Sequence, residues 1–493
     1  MFKGLQLLAA VLVLTTRVAW SAPIDQAVES YKNEDFAEAA LAFYDVLRSD
    51  PNASVRDQAE VYLADSLTKM DLLFPAMFYY VDILKAGAHS RFYLNAVDGL
   101  GVVAEKLHDP LFVPTVINQR FDPEGFAHLS VPRIAQINYM VGETAMRKSK
   151  NDEARAFFEV IPKSSALYPN AQYLLGILDT KGAHAERALT RFQSVIDGLR
   201  GEDLTEDQQD IRGLAQLAAA RTAYDLGRYK EASAYYDAVP RMSEHWFTAM
   251  YENAWAQFRN EDYGKALGSL QSVASPYFVK RHVPEAYVIL GTAYFVNCQW
   301  DRVRTSVAQY KASYEPMQTA LASYLKAPHQ PTDYYRDTIS GSEALPAEVA
   351  RQVRRAKRFR DYHFMLEHAA WETQQVGKVG VWNGSKLAED MTAIIGDHRT
   401  QLEPAVGTWV ASRLRNVQAQ LQNFSSQIAI LDFEVADAER QWLEQGREIL
   451  KGRRARLPRP EIPNDQWQHW NLQKEFWKDE LGYYQYSMRA ECE

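Results

Sequence analysis

His363 and His368 are the nearest approach to a metal-binding pair in this chain of 493 residues, and they stand five apart. On a helix that spacing puts the two imidazoles on different faces, whereas a zinc pair wants a spacing of four. Helical packing accounts for both. No Gly-x-Ser-x-Gly, His-Glu-x-x-His, P-loop or Cys-x-x-Cys motif occurs. Gly99-Leu100-Gly101 lacks the third glycine and the preceding strand of a dinucleotide loop. Adjacent acids such as Glu389 and Asp390 read as solvated helix charge. The sequence therefore predicts no catalytic residue, no metal site and no cofactor, and the chain is expected not to be an enzyme.

What remains is recognition chemistry. Arg351, Arg354, Arg355, Lys357, Arg358 and Arg360 form a basic run within ten residues. It reads either as a solvated helix face with local ion pairs or as a contact for an acidic protein, an anionic envelope polymer or lipid headgroups. Lys451, Arg453, Arg454, Arg456 and Arg459 repeat the theme farther on.

The elements that carry these groups show a repeat. Residues 287–294, Tyr-Val-Ile-Leu-Gly-Thr-Ala-Tyr, read aromatic-x-x-Leu-Gly-x-x-Tyr. A small residue recurs twelve positions later, and a large one four after that. Ala27, Ala39 and Phe43 keep this spacing, as do Ala64, Ala76 and Tyr80, and Gly142, Ala154 and Phe158. Gly176, Ala188 and Phe192 follow, then Ala220, Ala232 and Tyr236, and Ala254, Ala266 and Leu270. Gly101, Val113, Ile117 and Gly291, Val303, Val307 are looser copies. Small residues let two helices approach, and the large one fills the gap between successive hairpins.

This pattern resembles the tetratricopeptide-repeat family from roughly Asp25 to Pro316. The resemblance implies an all-α solenoid of about eight helix-turn-helix units whose first helices line an inner groove. In family register the inward positions hold Tyr173, Arg221, Tyr224, Tyr251, Trp255, Phe258 and Phe295. Rigid rings with one arginine suit a peptide groove, and would serve equally as packing between repeats. The Lys/Asn clamp of chaperone-binding members is not present.

Residues 1–21 read as a secretory signal cleaved near Ser21: Lys3, an apolar run Leu5–Leu14, then Ala19-Trp20-Ser21. Without Lys3 and Arg17 the chain carries 53 basic and 63 acidic side chains, a net charge near −10 that argues against nucleic acid as a partner. The two cysteines, Cys298 and Cys492, are too few for a disulfide scaffold. They pair if the tail folds back on the last repeat; a buried free thiol at Cys298 is the commoner reading.

The expected organisation is a solenoid over 22–327, capped by a helical piece at Met317–Lys326, then a Pro/Gly linker over 328–346. A helical hairpin follows over 347–451, turning at 376–383 and kinked near Glu403. Its second arm carries a heptad seam of Val410, Leu414, Val417, Leu421, Phe424, Ile428, Leu431, Val435, Ala438 and Trp442. That seam needs a partner: the last repeats, a second copy, or another protein. Residues 452–493 form a basic linker and an aromatic tail expected to dock on the solenoid.

The sequence thus predicts an exported scaffold, periplasmic if bacterial and membrane-peripheral at most, holding protein partners in its groove. It resembles the exported repeat proteins of envelope machines, including gliding-motility complexes, and a tail reading Glu475-Phe476-Trp477 through Tyr484 supports export. The alternative is an accessory protein that binds or processes peptidoglycan or polysaccharide.

Overall fold

The computed structural model describes residues 23–87, 90–120, 122–201, 203–278, 283–444 and 476–486, and every regular element among them is helical. Seven helix pairs and one looser pair follow in order. They are α1 (Pro23–Lys32) with α2 (Phe36–Ser49), α3 (Ala53–Lys69) with α4 (Leu73–Lys85), and α5 (Tyr93–Leu107) with α6 (Phe112–Gln119). After the single turn α7 (Pro123–Phe126) come α8 (Val131–Arg147) with α9 (Asn151–Glu159), and α10 (Tyr168–Lys181) with α11 (Ala185–Gly198). Then come α12 (Glu206–Asp225) with α13 (Tyr229–Asp237), α14 (Trp246–Arg259) with α15 (Tyr263–Val273), and α16 (Pro284–Val296) with α17 (Trp300–Lys326).

The small–small–large spacing is the packing code of these pairs. Ala27, Ala39, Ala64, Ala76, Ala154, Ala188, Ala220, Ala232, Ala254 and Ala266 are all fully buried, as are Phe43, Phe158 and Phe192. A Cβ on Gly176 would stand 2.5 Å from the Phe192 ring, and one on Gly142 2.6 Å from Phe158. The small residue of each first helix is thus the floor on which the large residue of the second helix rests.

One turn closes every pair. Seven positions after each first-helix small residue, the backbone enters the left-handed region: Glu34, Asp71, His108, Ser149, Ala183, Gly227, Glu261 and Cys298, with φ between 49° and 75°. The next residue donates its N–H to the carbonyl five back, as in Asp35 to Ser30, Leu72 to Leu67, His184 to Asp179 and Gln299 to Tyr294. This is the Schellman closure. Only Gly227 takes the conformation freely, so each of the others costs about 1–2 kcal/mol.

The chain divides into two compact units, Met1–Val103 with Ala369–Gly396, and Ala104–His368 with Asp397–Glu493. In the first unit, Trp382 is fully buried and its indole N–H donates to the Ala37 carbonyl at 2.8 Å. Asp390 bonds the Tyr44 hydroxyl and pairs with Lys386 at 3.0 Å and Arg48 at 3.5 Å, so it is a docking group rather than simple solvated charge.

Four helices follow the repeats: α18 (Pro331–Ser340), α19 (Ala347–Arg355), α20 (Lys357–Lys378) and α21 (Lys386–Glu444). They depart from expectation in four places. α17 runs unbroken through Pro316, where a separate cap was expected; the proline is exposed, so its missing N–H falls on the solvent side. The 328–346 segment holds α18, because Pro331 sits at the start of a helix and Gly341, at φ 73°, closes its end. The helix expected over 346–375 breaks at Ala356, which is extended at ψ 128°. No break occurs at Glu403: α21 continues through Pro404, and Gly407 lets it meet the Pro331 carbonyl where any Cβ would overlap.

Candidate functional site

In the second unit, the inner positions predicted on the first helices form a ladder between neighbouring repeats. Arg221 on α12 donates to both oxygens of Glu252 on α14, Nε at 2.8 Å and Nη2 at 2.7 Å. Tyr236 and Tyr251 direct their hydroxyls to the same carboxylate at 3.2 and 3.3 Å. One step on, the Trp255 indole N–H on α14 donates to Glu285 on α16 at 2.8 Å. Burial raises the Glu285 pKa, against the opposing pull of that indole bond. Burial works against the Arg221 charge as well, yet the Glu252 bonds win and its pKa rises. Glu252 and Glu285 carry no signal in the repeat pattern, and the sequence reading missed both.

The rings divide between packing and exposure. Tyr173 packs against Phe192 at 5.9 Å and joins the core around Ala188. Phe295 lies 5.3 Å from Trp300. Tyr224 meets Tyr229 edge-on at 5.2 Å, Trp255 meets Phe258 at 6.0 Å, and Phe258 meets Tyr263 at 5.4 Å. All seven predicted groove residues keep some accessible surface, and Arg221 keeps about half of its own. The structure therefore brings Arg221, Tyr251 and Trp255 together through the two glutamates, with Phe258 against Trp255. Tyr173 and Phe295 belong to separate ring pairs.

The basic run is largely committed within the chain. Arg351 pairs with Glu348 at 2.8 Å, and Lys357 with Asp361 at 3.0 Å. Arg354 donates to the Thr338 carbonyl, Arg358 to the Tyr362 hydroxyl at 3.0 Å, and Arg360 reaches Glu244 at 3.3 Å. Arg355 also has interactions of its own. Glu403 pairs with Arg336 at 2.9 Å, outside this run. Burial raises the Glu143 pKa, while Arg147, Lys357 and Arg358 pull it down; the start of α20 thus lies beside the inner position that follows Gly142.

The heptad seam is covered by the chain itself. Val410, Leu414, Val417, Leu421, Ile428, Leu431 and Val435 are buried. The Tyr310 hydroxyl donates to the Leu421 carbonyl at 3.2 Å, Lys311 pairs with Asp432 at 2.8 Å, and Arg304 pairs with Glu439. Leu431 rests on Gly291, where a Cβ would collide with it. The last repeat thus packs on the seam from Leu421 to Glu439. Exposed Ile430 and Phe433 point elsewhere.

Three arginines meet one buried acid in a second feature the sequence did not reveal. Asp179 on α10 is reached by Arg155 at 2.8 Å, Arg187 at 2.6 Å and Arg191 at 2.8 Å. His363 accepts or donates to the Tyr335 hydroxyl at 2.9 Å, a packing role. Cys298 is disulfide-bonded, which replaces the free-thiol reading. Cys492 and the signal-like residues 1–21 lie outside the described residues, as does the basic linker from 452.

Residues 217–277 match a tetratricopeptide-repeat family model. No curated protein matches the chain. Among solved structures, a tetratricopeptide repeat protein from Parabacteroides merdae is similar at 12% identity over 59% of this chain and 91% of that one, with a TM-score of 0.26. The apo form of the quorum sensor NprR from B. thuringiensis gives 12% identity, 75% and 97% coverage and a TM-score of 0.33. The apo form of RapI gives 10% identity, 77% and 97% coverage and a TM-score of 0.34. Residues 217–277 thus carry tetratricopeptide repeats, and the same packing code and left-handed turn recur in the hairpins on either side.

Proposed function

We propose that the chain is a non-catalytic, exported scaffold that holds a protein partner on the first-helix face of its later repeats. In a bacterium it would be periplasmic, a component of a cell-envelope assembly such as a motility or envelope-biogenesis machine. The ladder Arg221–Glu252 and Trp255–Glu285 carries this reading. It holds rings and charges at fixed spacing on successive repeats, so a partner segment meets side chains whose ordering entropy is already spent. The signal-like residues 1–21 support export, and a disulfide-bonded Cys298 fits an oxidising compartment.

The test is capture of crosslinked partners from the native envelope, using the mature chain and a Tyr224→Ala plus Trp255→Ala variant in parallel. Partners retained by the first bait and lost from the folded variant support the reading. Identical partners from both would move the function off this face. Salt-resistant retention of purified sacculi, with no protein partner, would favour a polymer-binding role.

A further inference from the structure

The C-terminal segment 476–486 lies along α15, turning over 478–482 and running on without a turn over 483–486, and α15 is shaped to receive a main chain. Gly264, Gly268 and Ser272 recur every four residues on one face of that helix. A Cβ on Gly268 would overlap the Tyr484 carbonyl oxygen, and one on Gly264 would stand 2.6 Å from that of Tyr486. Ser272 Oγ accepts from the Gly482 N–H at 2.8 Å, and the Gly264 carbonyl accepts from the Tyr486 N–H at 2.9 Å. Both ends of the segment are held by arginines. Arg241 donates to the carbonyls of Lys478, Asp479 and Leu481, and its guanidinium lies 4.6 Å from the centre of the Tyr483 ring. Arg302 donates to the Tyr486 hydroxyl at 2.6 Å and stacks on its ring at 5.2 Å.

Most of these contacts read backbone, and one pocket reads a side chain. Leu481 is fully buried among Leu217, Tyr236, Val239, Trp246, Phe247 and Met250. Gly482, at φ 87°, turns the chain beside Trp246 where a Cβ would come within 3.1 Å of the indole. Trp477 and Tyr483 stay more than half exposed. A segment anchored by one fully buried side chain, the half-buried Tyr484 beside it, backbone bonds and two arginines can leave without unfolding the helices beneath it. That is how a bound peptide is held, and unlike the repeat helices, most of which bury several side chains each.

We propose that the α15 face is a peptide-binding site for segments of the form Leu-Gly-aromatic-aromatic-x-aromatic that turn at the glycine, and that residues 476–486 are its intramolecular occupant, replaceable by a partner segment of the same chemistry. This stands apart from the first-helix ladder and survives the failure of that reading.

The test uses the full chain with thiol reductant present, because Cys298 is disulfide-bonded. A fluorescent peptide of residues 476–486 is titrated against the wild type and against Leu481→Asp, which vacates the site. Anisotropy should report at least tenfold tighter binding to Leu481→Asp. Adding Gly268→Ala to that variant should abolish the gain, although alanine favours the helix itself and circular dichroism should stay unchanged. Arg241→Ala in the same background should weaken binding without touching any helix interior. No gain with Leu481→Asp, or a gain that survives both site variants, would make the tail a permanent part of the repeat fold and overturn the proposal.

Discussion

The Glu372 carboxylate accepts the backbone N–H of Leu73 at 2.7 Å, across 299 residues of sequence. It also accepts from Phe74 at 3.2 and 3.3 Å, and its side chain is fully buried. α4 begins after Leu72, a residue with no side-chain acceptor to cap the free amides of a helix start. Glu372 on α20 supplies the missing cap, and its charge meets the positive end of the helix dipole.

Replacing Glu372 with alanine should therefore cost about 1–3 kcal/mol of stability, since two buried N–H groups lose their acceptor. Glu372→Gln keeps an acceptor and should cost clearly less. Urea unfolding with hydrogen exchange at Leu73 and Phe74 checks both. Equal costs for the two variants would show that packing, not capping, is what Glu372 provides.

The left-handed turns offer a gain. Ala183 has φ 58° at one of them, and Ala183→Gly should stabilise the chain by about 0.5–1 kcal/mol. Gly176→Ala, seven positions earlier, should do the reverse by about 1–3 kcal/mol, because its Cβ enters the Phe192 ring. Thermal melts of the two single variants should move in opposite directions.

Glu60 makes stability depend on pH. Burial, helped by the charges of Asp82 and Asp57 and opposed by Lys85, pushes its pKa up from 4.5 to about 7. The folded state then binds the proton more tightly than the unfolded state. Its contribution is full below pH 4.5 and is lost as pH rises through about 7. Glu60→Gln should raise stability at pH 8, by roughly 2 kcal/mol, and change little at pH 4. Denaturation midpoints of both chains across this range would expose a pH-independent difference, which would contradict the assignment.

The seam can be checked by its concentration dependence. Leu421→Ala should cost about 2–5 kcal/mol, the usual loss for a buried leucine, at every protein concentration. Phe433→Ser, on the exposed face of α21, should stay within about 0.5 kcal/mol of the wild type. A Leu421→Ala cost that grows on dilution would place the seam between copies instead.

The repeat was legible because it depends on residue size at fixed spacing. Ala154 and Phe158, or Ala188 and Phe192, announce a close helix pair wherever they occur, and the turn seven residues after the small position follows from the same register. Other boundaries were misread for local reasons. Pro331 punctuates a linker as readily as it starts a helix, and Pro404 ends a helix only when neighbouring packing allows it. On the first helices, Arg221 and Trp255 could be singled out, but Glu252 and Glu285 could not. A glutamate on a helix has no preferred partner until a neighbouring repeat brings one within reach.

By itself, then, the order of residues determined the helical repeat and its register, since both rest on contacts between neighbours in sequence. Tertiary structure alone decided what covers what. The seam meets Tyr310 and Gly291, Glu372 caps α4, and Leu481 fills the pocket beside Trp246. Those partners lie more than a hundred residues apart. Their pairing depends on surface shape and on buried polar groups that must find acceptors, which no local spacing encodes.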